Sequence, residues 1–245
     1  MSKVYFLGAG PGDPELITVK GWKLLRKAQV IIYAGSLINP ELLSGLEAEL
    51  YDSHGRDLEE IVDLMAQATS RGQIVIRLHS GDTAFYSAIN EEIARLKDLN
   101  IPYEVIPGVS SASLGAARLG LELTVPEVAQ TVIFTRLGGK TPGPSPEDLA
   151  YFAREDVTLV IFLSVHRAQT IEEALLQRLS PETPVAVAEK LGFPGERIVR
   201  GRLADLARLV EEAGIRKTAL IYVGKALEVL EHPQRTRSKL YDRKT

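Results

Sequence analysis

Cysteine is absent from all 245 residues, which excludes a disulfide framework, a thiolate metal site and a cysteine nucleophile. No apolar run approaches the ~18 residues that a membrane-spanning helix needs. The opening MSKVYFLGAG lacks the long apolar core of a signal peptide, so a cytoplasmic protein with no membrane contact is expected. Basic charge is not in excess either. A formal net charge of −3 and a pI near 5.9 leave no overall positive field, so nucleic acid is not an expected partner. An anionic small molecule stays open, because it needs only a local group of arginines. The four histidines, His54, His79, His166 and His232, show no metal-ligand spacing, and no metal is expected. No G-x-S-x-G nucleophile elbow is present. Gly139-Lys140-Thr141 mimics the end of a phosphate-binding loop, but Phe134 stands where that loop's first glycine belongs.

What is present fits a globular chain: 45% hydrophobic and 25% charged residues, in a length that suits one large domain or two ordinary ones. The first half alternates short β-branched runs with amphipathic stretches, the pattern of a parallel α/β sheet. Residues 4–7, 30–33, 74–78 and 103–106 read as buried strands. Leu58, Ile61, Met65 and Ala68 recur at helical spacing behind Asp57 and Glu60, which stand as N-cap and N3 of a capping box. Residues 91–99 predict a second helix. Residues 110–119 predict a third, rich in small residues and therefore packed closely on something. An extended segment, GLELTVP at 120–126, marks the expected boundary between a domain of residues 1–120 and one of 121–245. The second half restarts with strands at 131–135, 159–163, 185–188 and 219–223 and helices near 146–154, 168–179 and 203–213. GGKTPGPSPED, at 138–148, reads as a mobile loop.

Three segments carry chemistry. In VYFLGAGPGDPELIT a strand runs into Gly8-Ala9-Gly10-Pro11-Gly12-Asp13, with Asp13 or Thr18 as the cap of the next helix. A dinucleotide fingerprint fails here. Asp13 occupies the third glycine's place, and Pro11 removes an amide that a pyrophosphate would use. A ligand-binding turn and a simple tight turn both remain open. In IVIRLHSGDTAFYSA a strand ends in Ser80-Gly81-Asp82. Asp82 could face a ribose hydroxyl, an amino group or a sulfonium, or it could cap a following helix. In VIPGVSSAS, Ser110 and Ser111 fit a helix cap better than a ligand contact. Taken together, three strands each ending in a glycine turn with Asp or Ser beyond would line one sheet edge, which favours a shared small-molecule site.

Read in order, GAGPGDPELIT, HSGDTAFYSAI, EVIPGVSS and LELTVPEVAQTVIFTR resemble the tetrapyrrole methylase family. YAGSLINPELL, QTVIFTR, GIRKTALIYVGKAL and RSKLYD resemble the branch that methylates C-11 of precorrin-4, or its cobalt form, in cobalamin biosynthesis. The likeness runs along essentially the whole chain. It implies two α/β domains with S-adenosyl-L-methionine in the cleft between them, S-adenosyl-L-homocysteine as product, a small-molecule tetrapyrrole substrate and a homodimer. Carried over by position, it implies that Pro11 lines the cofactor cleft and that Gly81, Asp82 and Phe85 lie against the cofactor. Ser110 and Ser111 would supply polar contacts. Leu163, and Ala188 and Leu191 with the residues between them, would pack on the cofactor, and Thr218 and Ala219 would complete the adenine side. Thr83 stands where many relatives have proline, and SHGRDLEE at 53–60 matches poorly and receives no role. Methyl transfer from a sulfonium needs alignment more than acid–base help, so no classical catalytic residue is expected. Arg136 is the first candidate for a substrate carboxylate, with Glu127 behind it; the other arginines, Arg77, Arg118 and Arg197, read as surface ion pairs. The basic tail from Glu231 is either a solvated end or a docking segment.

Overall fold

A computed structural model describes residues 2–139 and 141–230. Lys140 and the tail from Glu231, with its RSKLYD segment and His232, lie outside the described residues. The chain divides into two compact units, Met1–Ser111 and Ala112–Thr245.

The first unit is built on a five-stranded, all-parallel sheet. Its strands are β1 (Val4–Gly8), β2 (Val30–Tyr33), β3 (Glu49–Asp52), β4 (Val75–His79) and β5 (Tyr103–Ile106), ordered β3-β2-β4-β1-β5. In register, Val4 faces Val75 on one side and Tyr103 on the other. The central strands are near-continuous apolar runs because both of their faces are covered. Leu7, Ile31, Ile76 and Leu78 pack on Leu25 of helix α1 (Val19–Leu25) and on Ile38, Leu42 and Leu43. Val4, Phe6, Ile32 and Val75 pack on the opposite side against α2 (Leu58–Ser70) and α3 (Ile89–Asp98), through Ile61, Val62, Met65 and Leu96. The capping box at α2 forms in both directions: Asp57 accepts from the Glu60 amide at 2.9 Å, and Glu60 accepts from the Asp57 amide at 3.0 Å. β3 gave no signal in the sequence because it is a four-residue, largely exposed edge strand.

The second unit begins within α4 (Ser111–Leu119) and adds α5 (Pro146–Phe152), α6 (Ala168–Leu175) and α7 (Leu206–Glu212). Its sheet is β6 (Thr131–Thr135), β7 (Val157–Ile161), β8 (Pro184–Glu189), β9 (Arg197–Arg202) and β10 (Ala219–Val223), ordered β6-β7-β10-β8-β9. Only β6 and β7 run parallel; the other pairs are antiparallel. β9 is a further edge strand without a sequence signal, because its RIVRGR run is charged and half-exposed. One face of the sheet buries Leu159, Ile161, Val185, Val187, Ile221 and Val223 against Leu149, Ile171, Leu175 and Leu206 of the helices. On the other face Tyr222 is fully buried and its hydroxyl donates to the Ala112 carbonyl at 3.0 Å. A Cβ at Gly115 would lie 2.0 Å from that hydroxyl oxygen. The small residues of α4 therefore make room for a tyrosine 110 residues away.

The segment read as a mobile loop, 138–148, holds several hydrogen bonds among its described residues. Ser145 and Asp148 close a capping box on α5, the Gly138 amide donates to the Pro144 carbonyl at 2.8 Å, and the Leu137 amide donates to Ser164 Oγ at 2.9 Å.

Candidate functional site

Three glycine turns meet at the carboxyl edge of the first sheet. After β1 the Ala9 amide donates to the His79 carbonyl at 2.7 Å, and Gly10 and Gly81 exchange amide–carbonyl hydrogen bonds at 3.2 and 2.7 Å. Both glycines have positive φ, +83° and +64°, a conformation that side chains resist. Gly8 and Gly108 serve closeness instead. A Cβ on Gly108 would lie 2.1 Å from the Gly81 carbonyl oxygen, and one on Gly8 would lie 2.6 Å from the Gly108 nitrogen. Asp82 locks the third turn to the second: its Oδ2 accepts from the Gly108 amide at 2.8 Å and its Oδ1 from the Ala84 amide at 2.7 Å. Asp82 does not cap a helix. The segment after it forms a turn, and α3 starts only at Ile89 behind Ala88, which makes no side-chain cap. Each carboxylate oxygen keeps a second lone pair for a ligand.

Around this edge Pro11 is buried, Asn39 donates to the Gly12 carbonyl at 2.9 Å, and both candidate caps are used. Asp13 caps the single turn Pro14–Leu16 and Thr18 caps α1. Phe85 is partly exposed beside Tyr86, whose φ is +56°. Ser110 is buried, and Ser111 opens α4 within 4 Å of the Gly81 Cβ position.

The second unit has a corresponding edge, where β6, β7 and β8 end and β10 begins. Leu163, Lys190 and Thr218 have φ of +54°, +51° and +53°, and the Lys190 amide donates to the Thr218 carbonyl at 2.8 Å. Positive φ on residues with a Cβ costs about 1–2 kcal/mol each, and such positions cluster where ligands are held. Leu163 is not at a strand end, as the sequence suggested. β7 stops at Ile161, and the Leu163 side chain projects outward at 65% exposure. Ala188, Leu191 and Ala219 are buried. Ala188 pairs with Leu220, and Leu191 lies 3.0 Å from the Gly115 Cβ position.

Several charges stand differently from the sequence reading. Arg77 is buried, and its Nε donates to both carboxylate oxygens of buried Glu92 at 3.0 Å. Burial pushes the Glu92 carboxyl up, and Arg77 opposes that shift. Arg118 pairs with Glu196 and Arg197 with Glu189. Arg136 has no carboxylate partner among the described residues; it donates to the carbonyls of Leu137 and Pro142. Glu127 has a positive φ, +62°. His79, which has no metal-ligand spacing in the sequence, ends β4 directly before the Asp82 turn. It is 95% buried by its 5% exposure, and its Nε2 has no partner among the described residues. Burial, and then Arg77, push its pKa down to about 3. Among the described residues no group of His, Asp and Glu is placed to hold a metal ion, and no helix is long and apolar enough to cross a membrane.

The family model of the Tetrapyrrole (Corrin/Porphyrin) Methylases matches residues 3–207. The chain belongs to this family. The cobalt-precorrin-4 C(11)-methyltransferase of Methanocaldococcus jannaschii is 49% identical over 98% of this chain and 93% of its own length. Among solved structures of the tetrapyrrole methylases, a cobalamin biosynthetic enzyme, cobalt precorrin-4 methyltransferase, superposes with a TM-score of 0.88 at 42% identity, over 92% of this chain and 95% of that one. The uroporphyrin-III C-methyltransferase of Thermus thermophilus, complexed with S-adenosylhomocysteine, gives 0.78 at 32% identity over 93% of this chain and 94% of that one.

Proposed function

We propose that this chain transfers a methyl group from S-adenosyl-L-methionine to C-11 of precorrin-4 or cobalt-precorrin-4 in cobalamin biosynthesis. The observation that carries this reading is the full-length likeness to enzymes named for that step, at 49% and 42% identity against 32% for the uroporphyrin-III enzyme. A homodimer and a cytoplasmic setting belong to the same reading.

The edge residues suit such a cofactor. The turns at 8–13, 80–85 and 107–113 contain no Lys, Arg or His; they offer carboxylate, hydroxyl and backbone groups, which favour a cation over a pyrophosphate. Pro11, Gly81, Asp82, Phe85, Ser110 and Ser111 of the first unit would hold the cofactor, with Leu163, Ala188, Leu191, Thr218 and Ala219 of the second. When bound, S-adenosylmethionine supplies an electrophilic methyl group on a sulfonium with a neutral thioether as leaving group. The chain's part is alignment. Asp82 fixes the second and third turns as one body, so the contacts along this edge keep a single geometry, and well-oriented partners can gain ~7–11 kcal/mol. The test is a labelled-methyl assay with precorrin-4, cobalt-precorrin-4 and uroporphyrinogen III. Turnover of either C-11 substrate is expected, and turnover of uroporphyrinogen III alone would reject the reading.

A further inference from the structure

Arg136 and Arg167 both donate to backbone carbonyls of residues 137–142. Arg136 follows β6, and its Nη2 donates to the Pro142 carbonyl at 2.6 Å while its Nη1 reaches the Leu137 carbonyl at 3.4 Å. Arg167 lies beyond β7, and its Nη1 donates to the Gly138 carbonyl at 2.6 Å. Gly138 and Gly143 touch so closely that a Cβ on Gly138 would lie 2.8 Å from the Gly143 carbonyl oxygen. The Arg136 guanidinium packs on Gly143, 3.1 Å from its Cβ position. Both cations are therefore fixed before any ligand arrives.

Among the described residues their charge is unanswered. Carbonyls are neutral acceptors, and no carboxylate of the described residues pairs with either guanidinium, although Arg118, Arg154, Arg197, Arg202 and Arg208 each have one. The other arginines of this unit without an ion pair among the described residues, Arg178, Arg200 and Arg216, are exposed, whereas Arg136 and Arg167 are half-buried. A guanidinium carries five N–H donors in a planar fork that matches a carboxylate, and most of these donors have no protein acceptor among the described residues. The pair lies at the sheet edge that also carries Leu163, Lys190 and Thr218, because Thr135 and Ile161 are in register and the Phe162 amide donates to the Thr135 carbonyl.

We propose that Arg136 and Arg167 form a preformed carboxylate site that takes an acidic side chain of the tetrapyrrole. This inference rests on the functional reading above. The sequence pointed to Arg136 alone; Arg167, beside His166 in an unremarkable VHRA segment, joins it only through the loop.

The experiment measures binding of uroporphyrin III, a tetrapyrrole polycarboxylate, and of S-adenosylhomocysteine to the full chain and to Arg136→Gln, Arg167→Gln and the exposed control Arg178→Gln. Loss of a charge-assisted hydrogen bond predicts a roughly tenfold to hundredfold rise in the porphyrin dissociation constant for each site variant. A shallower salt dependence is expected with it, and unchanged S-adenosylhomocysteine affinity. Arg136→Lys, which keeps the charge but loses the fork, should fall between. Unchanged porphyrin affinity would overturn the proposal, as would a parallel loss of porphyrin affinity, S-adenosylhomocysteine affinity and melting temperature, which is the mark of a loop clip alone. If the full chain binds porphyrin through these arginines yet methylates neither C-11 substrate, the site stands and the reading of function falls. If it binds no tetrapyrrole, both fall.

Discussion

Gly108→Ala adds one methyl group where the three turns meet. Gly108 does not have a positive φ, so its backbone accepts alanine, and the restricted unfolded chain alone would stabilise the variant by about 0.4–1 kcal/mol. The surroundings oppose this. The new carbon would stand 2.1 Å from the Gly81 carbonyl oxygen and 2.8 Å from Gly8 Cα, against the roughly 3.3 Å of an ordinary carbon–oxygen contact. The Gly81 carbonyl must retreat by about 1 Å, yet it accepts from Gly10, and Gly108 is held by Asp82. Overpacking costs about 1–3 kcal/mol and each lost hydrogen bond about 0.5–1.5. The net expectation is a destabilisation of about 2–4 kcal/mol, read from equilibrium urea unfolding. Weaker S-adenosylhomocysteine binding by titration calorimetry should accompany it. Gly139→Ala, with no neighbour within 4 Å of its Cβ, should change stability by less than about 0.5 kcal/mol. A Gly108→Ala protein as stable as the parent, with unchanged product affinity, would refute the reasoning that these glycines exist for backbone contact.

Four further outcomes follow from the same geometry. Asp82→Ala should weaken S-adenosylhomocysteine binding about tenfold, because the Gly108 and Ala84 amides lose their acceptor; unchanged affinity in calorimetry would leave Asp82 outside the site. Gly115→Ala should cost about 1–3 kcal/mol by collision with the Tyr222 hydroxyl. Adding Tyr222→Phe should recover part of that loss, and strictly additive effects in the double-mutant cycle would count against the contact. Arg77→Met should cost about 3–5 kcal/mol by stranding buried Glu92. That deficit should grow with pH, since burial raises the Glu92 carboxyl and the folded variant favours its protonated form; a pH-independent deficit would argue otherwise. His79 is held neutral down to about pH 3 against an ordinary value of 6.5, so the unfolded chain binds the extra proton in that window and stability falls as pH drops through it. His79→Leu should remove about 1.4 kcal/mol per pH unit of this slope, or about 2 kcal/mol between pH 6.5 and 5, and parallel stability curves would contradict it.

Local chemistry made much of this protein legible. The apolar runs of β1, β2, β4 and β5, the capping box at Asp57 and Glu60 and the caps Asp13 and Thr18 each act within a few residues, so the chain alone specifies them. The three turn segments also named the family, because their order survives as text. Long-range pairing decided the rest. The mixed second sheet and its edge strand β9 depend on partners far along the chain, and edge strands need no apolar pattern of their own. Whether Asp82 caps a helix or bridges turns depended on Gly108, 26 residues on. Arg77, ordinary in sequence, became a buried ion pair once α3 covered it. His79 lost its proton affinity to the same burial. Arg136 and Arg167, 31 positions apart, were linked only by the folded chain, where Arg136 donates to the Pro142 carbonyl and Arg167 to that of Gly138. Periodicity and capping lie in the sequence because they are short-range; burial, strain and the pairing of charges belong to the tertiary structure because they are set by neighbours the chain reaches only when folded.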